Sequence, residues 1–285
     1  MAYTDIDKPS DYFRTKLYAG NATNNRAITW DETDTNMQAN MLWFKSRTDT
    51  QTHGIWDSVR GAIKRLIPSS TAAEGDEAND LDSFDTNGFT VDSAANMNGS
   101  SRNYVTWGWK AGTSFTNDAS ATGIGSIDST GSVNTDAGFS IMSYTGTGSV
   151  ETFAHGLNSA PELVILRNRE VASNWWVWGE LLGNNQIMEL DTTSAKYNPN
   201  GNYHNDTMPT SSVISIGSDG QVSGNGQSHI CYAFHSVQGY SKFSSYIGGG
   251  SNFPFIYTGF KPAFMMVKRA VGGTGSWAIT DGKRD

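Results

Sequence analysis

The chain has 285 residues, enough for one large β domain or two ordinary ones with a substantial core. It is Gly-rich (31), Pro-poor (7) and aromatic, with Trp 9, Tyr 11 and Phe 13, a composition that favours many short strands joined by tight turns. A net charge of −8 opposes binding to a phosphate backbone, one cysteine (Cys231) excludes an intramolecular disulfide and a structural zinc site, and no stretch approaches the roughly 20 apolar residues of a membrane span.

These limits predict a chain that folds in a reducing cytosol, without nucleic acid as a partner and without membrane insertion. The opening Met1–Ala2–Tyr3–Thr4 has no basic region followed by an apolar run, so no leader is expected.

In chain order, residues 1–17 read as an entry segment, and Tyr12 to Tyr18 leads into a first unit, 18–143. That unit begins with YAGN and continues into MLWFKSR (41–47) and IWDSVRG (55–61). Ile55, Val59, Ala62, Ile63 and Leu66 fall near helical spacing before Pro68, which predicts one short helix from Trp56 to Ile67. The acidic run Glu74 to Asp82 reads as a solvated loop. Next come GFTV (88–91) and NGSSRNYVTWGWK (98–110), where Tyr104, Thr106 and Gly108 alternate with Val105, Trp107 and Trp109; a strand would give them two environments.

GFSIMSY (138–144) repeats the entry pattern and opens a second unit, 144–245. Tyr144 starts YTGTG, followed by HGLNSAP (155–161), ELVILRNR (162–169) and NWWVW (174–178), and later by VISIGSDG (213–220) and NGQSHICYAFH (225–235). Ile230–Cys231–Tyr232–Ala233–Phe234 aligns with Val105–Thr106–Trp107–Gly108–Trp109.

A third unit, 246–285, matches the second through YIGGG, YTGFKP (257–262), AFMMVKR (263–269) and SWAI (276–279), and it is incomplete. Thr280–Asp281–Gly282–Lys283–Arg284 matches Trp56–Asp57–Ser58–Val59–Arg60, but no second motif follows. The expectation is a fragment, or a half-unit that pairs elsewhere in an assembly. Leu163–Leu166 and Phe264–Val267 both read as strands buried on two faces that emerge into a basic turn. Unit starts on the order of 100 residues apart predict domain-sized repeats rather than solenoid turns. The fold class expected is all-β: repeated antiparallel β-sandwich units of jelly-roll or concanavalin-like type, with at most one or two short helices.

Candidate chemistry is sparse. A strand would put His229, Cys231 and His235 on one face, and a thiol beside an imidazole can form a nucleophile pair. The first unit holds Tyr104, Thr106 and Lys110 at the same places, so the units share strand packing rather than a reactive group. His155 and its counterpart Tyr257 suit an aromatic with a polar tip at a corner. No catalytic motif selects a carboxylate pair, and neither a cofactor nor a metal is expected. The candidate ligand-binding surface is aromatic: Trp175, Trp176 and Trp178, with Trp176 and Trp178 on one strand face and Trp175 on the other.

The set IDKPSDYF (6–13), DSVRGAIKRL (57–66), YVTWGWKAG (104–112) and GFSIMSYTG (138–146) resembles repetitive structural proteins of marine tailed bacteriophages, which carry Y-x-G…H-G-L-x-x-x-P…W patterns. The resemblance spans nearly the whole chain. It implies a non-enzymatic virion component, a tail fibre or surface appendage with a lectin-like β-sandwich, assembled in the host cytoplasm and contributing to host-surface recognition. Members usually continue past the point where this chain ends. The partners implied are other virion proteins, copies of the chain itself in a homo-oligomer, and a host-surface glycan. The alternatives are a carbohydrate-binding module, a capsid decoration protein and, last, a polysaccharide depolymerase.

Overall fold

The computed structural model describes residues 4–250 and 254–284. The opening residues 1–3 and Asp285, on which expectations about the chain's beginning and end rest, lie outside them. The fold is all-β, and every pairing between named strands is antiparallel. Among the described residues the two α-helices are four residues each, Ala119–Thr122 and Gly220–Ser223; the side chains of Asp118 and Asp219 cap them by accepting from the backbone N–H of Ala121 and Gln221.

The first unit is built on a four-stranded sheet. Its entry strand Phe13–Ala19 pairs with a central strand Asn103–Trp109, which pairs with a hairpin of Met41–Ser46 and Gly54–Asp57. The second unit repeats that order: entry strand Phe139–Thr145, central strand Ser228–Phe234, then the hairpin Leu163–Asn168 and Trp176–Trp178, extended at both ends to seven strands. The registers coincide. Phe13 faces Trp109 as Phe139 faces Phe234, and Trp43 faces Trp107 as Ile165 faces Tyr232. In the third unit the hairpin Phe264–Val267 with Ala278–Asp281 stands as a two-stranded sheet.

Alternation then fixes which side chains meet. One face of each main sheet covers a small second sheet. In the first unit Leu42, Phe44 and Trp56 pack against Ile28, Phe89 and Val91; in the second Val164, Leu166, Trp176 and Trp178 pack against Phe153, Ile214 and Ile216. These are the two sandwich cores. The opposite faces meet one another in a third core that joins Trp43 and Trp107 of the first unit to Ile165, Trp175 and Tyr232 of the second, with Phe264, Met266, Trp277 and Ile279 of the third packed against it.

Three expectations are corrected. Trp56 to Ile67 is not a helix: Gly54–Asp57 is a strand and Lys64–Arg65 another, because Asp57 Oδ1 accepts from the backbone N–H of Val59 and Arg60, Gly61 sits at φ +98°, and Ile55 bridges Leu66. The acidic stretch 74–82 is not simply solvated, since Asp80 is buried and Glu74 is ion-paired to Arg60 and Arg169. Phe264–Val267 is only partly buried on its inner face, at Phe264 and Met266, and open on the other, with Met265 48% and Val267 38% exposed.

Candidate functional site: the seams between the units

Register identifies equivalent residues, and two of the recurring groups sit at contacts between units. The first is an aspartate and an arginine three residues apart at the end of the hairpin. In the first unit Arg60 Nε donates to Asp57 Oδ2 at 2.6 Å and its Nη2 to the Ile55 carbonyl at 3.0 Å. The third unit reproduces this: Arg284 Nε donates to Asp281 Oδ2 at 2.5 Å and Nη2 to the Ile279 carbonyl at 2.6 Å.

Each carboxylate then receives the polar tip of a central-strand aromatic from a neighbouring unit. Tyr232 of the second unit donates its hydroxyl to Asp57 Oδ2 at 2.6 Å, and Trp107 of the first donates its indole N–H to Asp281 Oδ2 at 3.0 Å. Trp107 and Tyr232 are equivalent residues, so the contact is the same one made twice.

The second recurring group is a cation over a ring. Arg167 lies 5.9 Å from the Trp175 ring centroid and Lys268 lies 5.6 Å from that of Trp277. Trp175 Nε1 donates to the Ile67 carbonyl of the first unit at 2.9 Å, and Trp277 Nε1 to the Glu189 carbonyl of the second at 3.0 Å. Arg167 Nη2 and Lys268 Nζ each reach a carbonyl of the preceding unit at 2.6 Å, Thr71 and Thr192. Even the backbone repeats, as Ser173 N–H donates to Thr71 O and Gly275 N–H to Thr193 O.

The contacts run from first unit to second, second to third and third to first. A head-to-tail contact that returns to its start is the logic of a closed cyclic assembly, here within one chain. The cycle is imperfect at one seam. At the place of Asp57 and Asp281 the second unit has Gly179 at φ +145°, where a Cβ would lie 2.0 Å from the Glu162 carbonyl, and Leu182 replaces the arginine. Backbone geometry therefore excludes the aspartate there.

The aromatic surface expected at Trp175, Trp176 and Trp178 is not one. The division between faces is as the alternation implies, but both faces are covered: Trp175 packs in the core between units, Trp176 and Trp178 in the second sandwich core, and none is more than 2% exposed. His229 and Cys231 do share a face and are both fully buried. Burial pushes the Cys231 thiol up and the His229 imidazole down to about 4, so at neutral pH the pair holds neither thiolate nor imidazolium.

His155 is also buried, and its ring nitrogens divide their roles. Nδ1 accepts from the Leu157 N–H at 3.1 Å, which leaves Nε2–H to donate to the Thr210 carbonyl at 3.1 Å. Only the neutral ring satisfies both, in keeping with an imidazole pushed down to about 4 by burial. His53 is depressed to the same value by burial and by Lys45.

A base depressed in the folded state contributes stability that is complete above its unfolded pKa near 6.5 and is lost as pH falls toward 4. Each imidazole accounts for on the order of 3 kcal/mol over that window. Asp80, raised by burial to about 6, and Asp191, also raised by burial, act in the opposite sense as pH falls, but they are two groups against four, since burial depresses His204 as well. Urea midpoints should therefore fall steeply from pH 7 to pH 4.5; an unchanged midpoint would contradict these burials.

An open cleft of about 550 Å³ is bordered by Glu162, Glu180, Gln238, Lys242, Phe243 and Tyr257. Ser236 donates its hydroxyl to Glu162 there at 2.5 Å. Among the described residues no group of three or more His, Cys, Asp or Glu side chains is placed to hold a metal ion.

The matching DSVR and DGKR segments are visible in the sequence but their role is not, because the partner of each lies more than a unit away in the chain. No curated protein and no solved structure matches this chain. A family model described as "Domain of unknown function (DUF7483)" matches residues 8–285, nearly the full length, and the chain belongs to that family.

Proposed function

We propose that this protein is a non-enzymatic structural component of a bacteriophage virion, a tail-fibre or surface-appendage subunit that contributes to host-surface recognition. One observation carries the structural half of the reading: what recurs between units is the packing and the seam contacts, whereas the reactive groups do not recur. Asp57 and Asp281, Arg60 and Arg284, Trp175 and Trp277 recur at seams. His229 and Cys231 are replaced in the first unit by Tyr104 and Thr106. A chain selected for catalysis would be expected to keep a reactive group; this one keeps its joints. The phage assignment draws on the sequence resemblance.

Mass spectrometry of purified particles tests it. The chain should be present at a fixed multiple relative to the other particle proteins, and its absence from particles would refute the assignment.

A second reading, carbohydrate binding, is favoured by the cleft, where two carboxylates and an amide stand beside Phe243 and Tyr257. It predicts glycan-array signals that disappear with Glu180→Gln while the fold is kept.

A further inference from the structure

Four asparagines are followed directly by glycine, at 87–88, 98–99, 200–201 and 225–226. In such a pair the glycine nitrogen can attack the carboxamide carbon of the preceding asparagine, because no Cβ shields the approach. The attack needs two free groups at once, that nitrogen and that carboxamide. At three of the four pairs the fold engages one or both.

Asn98 is fully buried; its Oδ1 accepts from the Asn21 N–H and from Arg26, its Nδ2 donates to the Thr23 carbonyl, and the Gly99 N–H donates to the Tyr104 hydroxyl at 2.8 Å. Asn87 Oδ1 accepts from Arg14 at 3.1 Å and from the Met37 N–H at 3.3 Å, and Gly88 belongs to a strand paired on both edges. Asn225 is exposed, but the Gly226 N–H donates to the Gly146 carbonyl at 2.9 Å.

The remaining pair is free on both counts. Asn200 is exposed, and among the described residues neither its carboxamide nor the Gly201 N–H makes a hydrogen bond. Both residues are left-handed, at φ +56° and +77° as in a type I′ turn, and the Asn202 N–H closes that turn on the Pro199 carbonyl at only 3.4 Å. A turn closed so weakly can bring the nitrogen onto the side chain.

We propose that Asn200 is a site of spontaneous covalent modification, converting through a cyclic imide to aspartate and isoaspartate. The Gly201 nitrogen gives up its proton to water and bonds to Cγ of Asn200, the bond from Cγ to the side-chain nitrogen breaks, and ammonia leaves. Water then adds to one of the two imide carbonyls and reopens the ring. Opening on one side gives aspartate; opening on the other routes the main chain through the side chain and gives isoaspartate. Water is the only co-reactant.

The position of the turn gives the change a structural consequence. Tyr203 stacks on Trp176 at 3.8 Å, His204 lies 6.0 Å from Trp178, and the Asn202 and Tyr203 carbonyls accept from the N–H groups of Asp219 and Gly217. These contacts hold the loop over the second sandwich core. Either product adds a carboxylate to a turn in which a Cβ on Gly201 would lie 3.5 Å from Asp206 Oδ2, and isoaspartate lengthens the main chain by a methylene. The modified loop therefore loosens over Trp176. The inference is independent of whether the protein belongs to a virion.

The test incubates the whole chain in warm, mildly alkaline buffer and follows each asparagine by peptide mass spectrometry. Isoaspartate is read with an isoaspartyl methyltransferase and the loop by amide exchange. The expected result is that Asn200 converts first, with loss of exchange protection at Gly217 and Asp219 as it does. Asn200→Gln, whose longer side chain would have to close a larger ring, should keep the fold and show no conversion in that turn. In urea all four sites should react at similar rates, which isolates the selection made by the fold. Asn87, Asn98 or Asn225 converting as fast as Asn200 in the folded chain would overturn the proposal, as would an Asn200 that persists in the folded chain while the unfolded one converts. Full protection of Gly217 and Asp219 in the converted chain would overturn the loosening.

Discussion

Arg60→Ala should cost about 3–5 kcal/mol of unfolding free energy, read from urea denaturation at neutral pH. The side chain is fully buried and serves five groups: Asp57, the carbonyls of Ile55 and Lys64, Glu74 Oε2 at 3.0 Å, and the Tyr232 hydroxyl of the second unit. Removing it leaves the Asp57 carboxylate buried without its counter-charge, which costs more than the lost contacts themselves. The guanidinium is held charged, its pKa raised by Asp57, Tyr232 and Glu74 against the burial penalty. Its image Arg284 offers an internal control, because that side chain is 25% exposed and water can replace part of what it supplies. Arg284→Ala should therefore cost clearly less. Equal losses at the two sites, or a loss under about 1 kcal/mol at Arg60, would mean that the first seam is not held by this network.

Trp175→Ala is expected to be comparably severe, about 3–5 kcal/mol, for a different reason. Its ring is completely buried in the core between units, stacked near Tyr232 at 6.4 Å with Arg167 on it, and its N–H is spent on the Ile67 carbonyl. Truncation opens a cavity where two units meet and removes one of that carbonyl's two donors, leaving it only the Ser70 N–H. Trp277→Ala should cost less, since Trp277 is only partly buried. Calorimetry of both variants decides the matter. A Trp175→Ala protein with native stability and lost glycan binding would restore the aromatic-surface reading that burial argues against.

Much of the architecture was legible because each main sheet repeats the same local pattern. The alignment of Ile230–Phe234 with Val105–Trp109 is the alignment that strand register gives, since Phe139 and Phe13 face the last residue of each. Alternation divided Trp175 from Trp176 and Trp178 correctly, but a period of two says only that there are two faces, not what lies over them. Exposure depended on the neighbouring unit and the second sheet. The missed turn at Asp57 has a similar origin: Ile55, Val59, Ala62 and Leu66 satisfy helical spacing, yet an Asp side chain accepting from two backbone N–H groups offers the chain a competing local structure. A DxxR pair repeated in two units was the available signal for the seams, and its meaning required knowing which aromatic it meets.

The central claim is that the units close on one another through equivalent contacts, and a pair of double-mutant cycles across the seams tests it most directly. Asp57→Asn with Tyr232→Phe probes the first seam, and Asp281→Asn with Trp107→Phe probes its counterpart, by urea unfolding. The account predicts favourable coupling of about 1–3 kcal/mol in each cycle, larger at the fully buried Asp57 seam. Additive losses in both cycles would contradict it.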